Sequence, residues 1–405
     1  MTCPFAGPDI VSREHKRDPF SFYARLRAEA PIARVTVPRL GDAWFLTRQA
    51  DVLACLMDDR HFVRDPHIAA LDIASDPDAL LVLPHPSIGP TLLQVDDPTH
   101  KRLRMSVVKG FTRNAIEKWR GQSETVAEKL LDRMAERAEV DLVTDYARPL
   151  PLAIISAMLG MPVENGHELP EWYQIFLSQS EQPGGLSSAS FWSAFEGWAQ
   201  QLFQARRAAP LDDLASVLAC SGKAGEGLDE HEFVAMVHVL LFAGHETTAA
   251  LIASGVLVIL ENSIAIDKFF DNRDLYRRAI DELLRFCAPV EMVPPRFVAE
   301  DVVIDGQLLR RGDIVFPVLA SANRDQARFT EPDRLNLERD PNPHVAFGAG
   351  SRHCFGLHLA RMEAEVAFRS LFRRFPRLSL HPNAPPVWRP RHVVRALDSL
   401  PVRLG

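Results

Sequence analysis

The chain has 405 residues, 47% hydrophobic and 24% charged, with a formal net charge of −7. This is the composition of a folded globular protein with ample chain for a large core, and it excludes disordered and fibrous classes. The acidic balance leaves no global basic footprint for nucleic acid. Five scattered cysteines (Cys3, Cys55, Cys220, Cys287, Cys354) argue against a disulfide framework and for the reducing cytoplasm.

The N-terminus, Met1-Thr-Cys-Pro-Phe-Ala-Gly-Pro8, has no basic segment followed by an apolar core, so neither a secretory signal nor a membrane anchor is expected. Strands are expected at 43–46, 302–304 and 314–318, with a C-terminal pair near 392–394 and 400–404. Asp305-Gly306 between apolar residues signals a hairpin turn. Apolar residues recur at helical spacing over 114–136, 193–206, 232–260, 273–286 and 356–375. Pro and Gly cluster at 64–98, 183–186 and 382–390, which read as loops. The stretch 233–260 is long enough to cross a bilayer. Its middle reads Gly244-His-Glu-Thr-Thr248, and a glutamate beside a histidine at a bilayer centre is costly, so a core helix is the better reading. No repeat or Gly/Ser linker divides the chain, so one mainly α domain with small β-sheets is expected over 1–405.

The densest chemistry lies in Phe347-Gly-Ala-Gly-Ser-Arg-His-Cys354-Phe-Gly356, followed directly by a helical pattern. A cysteine at a helix start sits in the positive end of the helix dipole, which favours its thiolate. Glycines at 348, 350 and 356 let backbone N–H groups and a flat cofactor approach the sulfur. A lone cysteine is ordinarily an inert core residue, but three glycines, an aromatic and two basic residues around it weigh against that. Zinc is the next rival, with His344, His353 and His358 nearby, yet there is no CxxC pair or other paired-ligand spacing.

The pattern Phe347-x-x-Gly350-x-Arg352-x-Cys354-x-Gly356 resembles the haem-ligand signature of the cytochrome P450 family. Further stretches resemble family motifs in family order: His100-Lys-Arg-Leu-Arg104 the HxxxR of its C helix, and Ala243-Gly-His-Glu-Thr-Thr248 the oxygen-binding stretch of its I helix. Glu282-Leu-Leu-Arg285 resembles its ExxR, and Pro294-Pro-Arg296 opens a segment like the strand that follows. Each is weak alone; five in order are specific. Bacterial members more often carry His where Arg352 stands, though Arg also donates to a carboxylate.

The resemblance implies a P450-like fold with haem b between the I-helix and L-helix regions and Cys354 as axial ligand. A thiolate ligand pushes electron density onto haem iron and favours O–O cleavage. The haem propionates would be met by His100, Arg104, Arg296 and Arg352. Gly244 would leave room for O2, Thr247 would hold the bound oxygen by a hydrogen bond, and Glu246 would relay protons. The bland reading of Thr247 is a hydroxyl bonded one turn back in a kinked helix. Glu282, Arg285 and a basic residue from the following meander, Arg334 with Arg339 as runner-up, would form a folding network.

Val239, Phe242 and Ala243 lie on or beside the helix face of Thr247. With Met292 and Val293 they are candidates for an apolar substrate pocket, which 64–95 and 170–195 would complete; plain core packing is the alternative for each. No flavin or iron–sulfur motif is present, so electrons from NAD(P)H would arrive through ferredoxin reductase and ferredoxin. Seven Lys/Arg at 101, 102, 104, 109, 113, 118 and 120 against Glu117 form a local basic patch that could dock an acidic ferredoxin. The expected activity is insertion of one oxygen atom from O2 into an apolar organic substrate, by hydroxylation or epoxidation. A gas-binding haem sensor or carrier and a peroxide-driven peroxygenase are the alternatives, and neither calls for the Glu246–Thr247 pair.

Overall fold

The computed structural model describes residues 8–37, 40–71, 89–161, 189–221 and 227–405. Within them the chain gathers into two compact units: 1–72, 120–151 and 246–405 form one, and 73–119 with 152–245 form the other.

The first unit holds a five-stranded sheet in the order Ile32–Val37, Gly41–Leu46, Ile314–Pro317, Arg296–Val298, Phe62–Val63. Gly41–Leu46 and Ile314–Pro317 run parallel, with Trp44 opposite Val315, and the other neighbours are antiparallel. Alternation along these strands sorts their side chains to two faces. Ala43, Phe45 and Phe316 enter one core with Phe22, Tyr23 and Leu26; Leu46, Val298 and Val315 enter another with Val52, Leu56 and Phe62. Asp305 (φ 47°) and Gly306 (φ 78°) both take left-handed backbone, closing the hairpin Val302–Ile304/Gln307–Leu309.

Helix Arg273–Cys287 begins at Asn272, whose side chain accepts from the backbone N–H groups of Asp274 and Leu275. Helix Leu357–Arg374 packs against Arg120–Ala135 and Arg273–Cys287. The long helix Glu230–Glu261 approaches it closely at Gly255, where an added Cβ would lie 2.5 Å from Phe368 Cζ. Glu230–Glu261 is long and apolar enough to cross a membrane, but 67% of its most apolar window is buried inside the protein.

In the second unit, helices Thr99–Val107 and Ala189–Ala208 both pack on Leu214–Ala219. Asp213 caps that last helix by accepting from Ser216 N–H and also pairs with Arg206 at 2.6 Å.

Some sequence expectations shift. The helix expected over 114–136 is broken into Arg113–Glu117 and Arg120–Ala135. At 392–394 there is no strand, only a Val290–Val394 bridge; the C-terminal strands are Leu397–Ser399 and Pro401–Arg403. Residues 183–186, and most of the loop regions expected to cover a pocket, lie outside the described residues.

Candidate functional site

The segment before Leu357–Arg374 is folded by its own backbone. Gly348 and Gly350 adopt φ of 69° and 74°. A side chain at Gly350 would also be blocked, since its Cβ would fall 2.4 Å from the Leu56 carbonyl oxygen. A 3-10 turn follows at Gly350–Arg352, and the Cys354 N–H donates back to the Phe347 carbonyl at 2.9 Å. Gly356 then caps Leu357–Arg374. The Phe347 ring is held from outside by the Arg361 guanidinium, 4.8 Å from its centroid, and Arg361 Nε is fixed by Asp281 at 2.8 Å.

Cys354 is half-buried. The other described thiols differ: Cys55 and Cys287 are sealed in the core, where burial pushes them up to about 12 and about 11, and Cys220 is exposed on the second unit. Among the described residues no three His, Cys, Asp or Glu side chains converge as metal ligands. The local donor set suits a thiolate-ligated flat group. It combines a thiol that is not sealed, glycines where the chain comes close, and the cations Arg352 and Arg296.

Arg296 is buried at the start of its strand, with Nη1 donating to the Phe62 carbonyl (2.8 Å) and to Asp59 (3.1 Å). Asp59 also accepts from the Ser351 hydroxyl at 2.5 Å, which joins Arg296 to the cysteine segment. Burial pushes the Asp59 carboxyl up, but Ser351, Arg296 and Arg352 together hold it below the usual carboxylate range. Sequence reasoning missed Asp59; nothing in Met57-Asp-Asp-Arg60 marks it.

Gly244, Glu246 and Thr247 lie on the long helix, all half-buried, and a Cβ on Gly244 would meet Ile155 Cγ1 at 3.2 Å. From Glu246 onward this helix lies in the first unit. There Thr248 is buried beside Glu363 of helix Leu357–Arg374. Burial pushes the Glu363 carboxyl well above its ordinary range, against a smaller opposing pull from the Thr248 hydroxyl. Glu246 Oε1 lies 3.7 Å from Arg389 Nη1 and 3.6 Å from Arg391 Nη1.

Glu282 and Arg285 form a fully buried pair, Nε to Oε2 at 2.7 Å and Nη2 to Oε1 at 2.8 Å. The third member corrects the sequence assignment. It is Arg339, whose Nε donates to Oε1 and Oε2 of Glu282 at 3.2 and 3.0 Å. Arg334 is exposed, pairs with Glu331 at 3.3 Å, and contributes only its carbonyl, which accepts from Arg285 and Arg339.

The pocket candidates also divide. Met292 is fully buried in the core with Phe45, Phe316 and Val318, so its side chain is packing and not pocket. Val293 is half-buried. In the second unit Val239 is buried, Ala243 exposed, and Phe242 half-buried between Phe191 and His238, whose ring centroids lie 6.3 and 4.4 Å away. On Thr99–Val107, His100 is buried beside Asp97 at 3.3 Å and Arg104 is half-buried. The basic patch is smaller than its sequence count. Arg102 is held bidentately by Glu232, and Arg120 pairs with Glu365 at 2.9 Å. Lys101, Lys109, Arg113 and Lys118 are exposed.

The cytochrome P450 family profile matches residues 189–395. The chain is 36% identical over 403 residues to the polyketide biosynthesis cytochrome P450 PksS of Bacillus subtilis, covering 97% of each chain. It is 34% identical over 383 residues to the mycinamicin IV hydroxylase/epoxidase of Micromonospora griseorubida, covering 94% of each. The solved structure of the Bacillus subtilis PksS superposes with a TM-score of 0.86 at 35% identity, covering 98% of this chain and 99% of that one. The chain therefore belongs to the cytochrome P450 family and has the P450 fold, mainly α with small sheets. It is a monooxygenase, an oxidoreductase whose family holds haem through a cysteine thiolate and uses O2.

Proposed function

We propose that residues 1–405 act as one haem-thiolate monooxygenase domain that inserts one oxygen atom of O2 into an apolar organic substrate by hydroxylation or epoxidation, in the cytoplasm. The observation that carries this reading is the setting of Cys354: it is half-buried, its N–H bonds back to the Phe347 carbonyl, and it directly precedes helix Leu357–Arg374 behind glycines that leave its surroundings open.

Haem b, when bound, would supply the oxidising chemistry, and Cys354 would hold it through its thiolate. The chain's own work is binding, orientation and proton management. Arg296 and Arg352 would supply donors for the propionates, the role that the family resemblance also implies for His100 and Arg104. Gly350, Gly356 and Phe347 shape the sulfur's surroundings. Gly244 keeps a side chain out of the space that O2 needs. The Thr247 hydroxyl would offer a hydrogen-bond donor to bound oxygen, and the Glu246 carboxyl would hold and pass on the protons the reaction consumes. Phe242, Ala243 and Val293 would contribute apolar pocket surface, while Val239, buried like Met292, is core packing.

The substrate class we favour is an apolar polyketide-type skeleton in secondary metabolism. Its support is the pocket chemistry together with the relatives' names, one of polyketide biosynthesis and one a mycinamicin hydroxylase/epoxidase. Electrons come from NAD(P)H through ferredoxin reductase and a ferredoxin, which Lys101, Lys109, Arg113 and Lys118 would attract. The test is turnover of a substrate that shifts the Soret band, under labelled O2. Label in the product, dependent on a surrogate ferredoxin system, supports the reading. Turnover driven only by peroxide, or gas binding without turnover, overturns it.

A further inference from the structure

Glu246 faces two arginines from the C-terminal segment that follows Val387–Trp388, and the two are built differently. Arg389 is a fixed charge. Its side chain is 10% exposed, and its Nε donates to Asp398 at 2.5 Å. Its backbone N–H bonds the Ala396 carbonyl at 2.9 Å. Asp398 in turn lies 3.7 Å from both Arg13 and Arg148. Arg391 is 36% exposed, and Glu246 is its carboxylate partner.

At 3.7 and 3.6 Å neither arginine is within hydrogen-bond reach of Glu246 Oε1. Charge attraction therefore holds the carboxylate to one side without a directed bond that locks its rotamer. The contrast is the Arg102–Glu232 pair, where two guanidinium nitrogens grip both carboxylate oxygens. A group that carries protons has to be ordered and still able to rotate, and the arrangement at Glu246 meets both conditions.

We propose that Arg391 and Arg389 are positioning residues for Glu246, with Arg389 anchored by Asp398 and Arg391 the adjustable partner at the surface. The proposal rests on the reading of Glu246 as the proton relay. It adds a role for the C-terminal segment in proton delivery to the site.

The experiment is a cycle on the haem-loaded enzyme with R391Q, E246Q and the double variant, plus R391K. Arg391 is the residue to change because it is partly exposed and its loss leaves Glu246 beside Arg389; R389Q would also strip Asp398 of its hydrogen-bonded partner. R391Q is expected to lower kcat by about two- to fivefold, the range of a partly exposed ion pair. KM and the substrate-induced Soret shift stay unchanged, peroxide released per O2 rises, and R391K restores most of the loss. In the E246Q background R391Q has no further effect. By infrared difference, the carboxylate band that vanishes in E246Q shifts in R391Q. A slow E246Q with an unaltered or faster R391Q, or losses that simply multiply in the double variant, overturns the positioning role and leaves the relay standing. A silent E246Q overturns the relay and the positioning role together.

Discussion

Arg339→Ala, set against Arg334→Ala, tests which meander arginine completes the buried network. Arg339 spends Nε on Glu282, Nη1 on the Thr330 carbonyl at 2.7 Å, and Nη2 on the Glu331 and Arg334 carbonyls at 3.2 and 3.1 Å. Truncation takes the side-chain donor from the Thr330 carbonyl and one of two guanidinium partners from a carboxylate that is 0% exposed; the Glu331 carbonyl keeps the Arg334 N–H and the Arg334 carbonyl keeps Arg285. Removing one partner of a buried pair costs about 3–5 kcal/mol. Glu282 keeps the bidentate Arg285 and the Asn336 N–H at 2.9 Å, so the lower end, about 3 kcal/mol, is expected. The Arg334 and Glu331 side chains are 73% and 65% exposed, so Arg334→Ala should cost no more than about 0.5 kcal/mol. Urea unfolding midpoints and the fraction of purified chain that holds haem measure both variants. Equal losses, or a greater loss in Arg334→Ala, refute the assignment of Arg339.

Thr247→Ala should leave haem content and substrate binding intact while product per O2 consumed falls about tenfold and peroxide rises, since one hydrogen bond to a charged group is worth roughly 1.5–3 kcal/mol; oxygen uptake, peroxide and product measured together decide it. Glu363→Gln should flatten part of the pH dependence of stability. A carboxyl whose folded-state pKa is raised contributes stability in full below its unfolded value near 4.3, and loses it at about 1.4 kcal/mol per pH unit as pH climbs toward the raised value. The variant therefore gains on the wild type in urea melts as pH rises above that unfolded value. Glu291 is the opposite case. Burial pushes its carboxyl up, but the Lys16 ammonium at 2.5 Å and His15 hold it at about 2. Its stability is present above the unfolded value and fades as pH falls toward 2; Glu291→Gln should remove that acid-side loss and, by leaving Lys16 buried without a counter-charge, cost about 3–5 kcal/mol at neutral pH.

The cysteine segment was legible because its glycines are demanded by backbone geometry. Gly350 combines left-handed φ with a carbonyl 2.4 Å from where a Cβ would sit, and such constraints leave fixed spacings in sequence. The meander arginine was not legible, because Arg334 and Arg339 lie five residues apart in an irregular segment with no period to say which side chain turns inward. Met292 and Val293 lie in the irregular segment before strand Arg296–Val298, where no period says which side chain turns inward; the first enters a core and the second is half-buried. Glu363 carried a usable signal: it follows Leu359 by four residues and precedes Ala367 by four, on the buried stripe of its helix. The Glu246 arginines carried none, since Trp388-Arg-Pro-Arg391 reads as a charged loop until the fold brings it to the long helix.

The central claim is that the Cys354 thiolate is the axial ligand of a monooxygenase haem. The measurement that tests it most directly is the absorption spectrum of the reduced, CO-bound protein, taken for the wild type and for Cys354→His. The account predicts the red-shifted Soret band that gives the family its name in the wild type, and its replacement by an unshifted band, with monooxygenation lost, in Cys354→His. A wild type without the shifted band, or a Cys354→His variant that keeps it, contradicts the account.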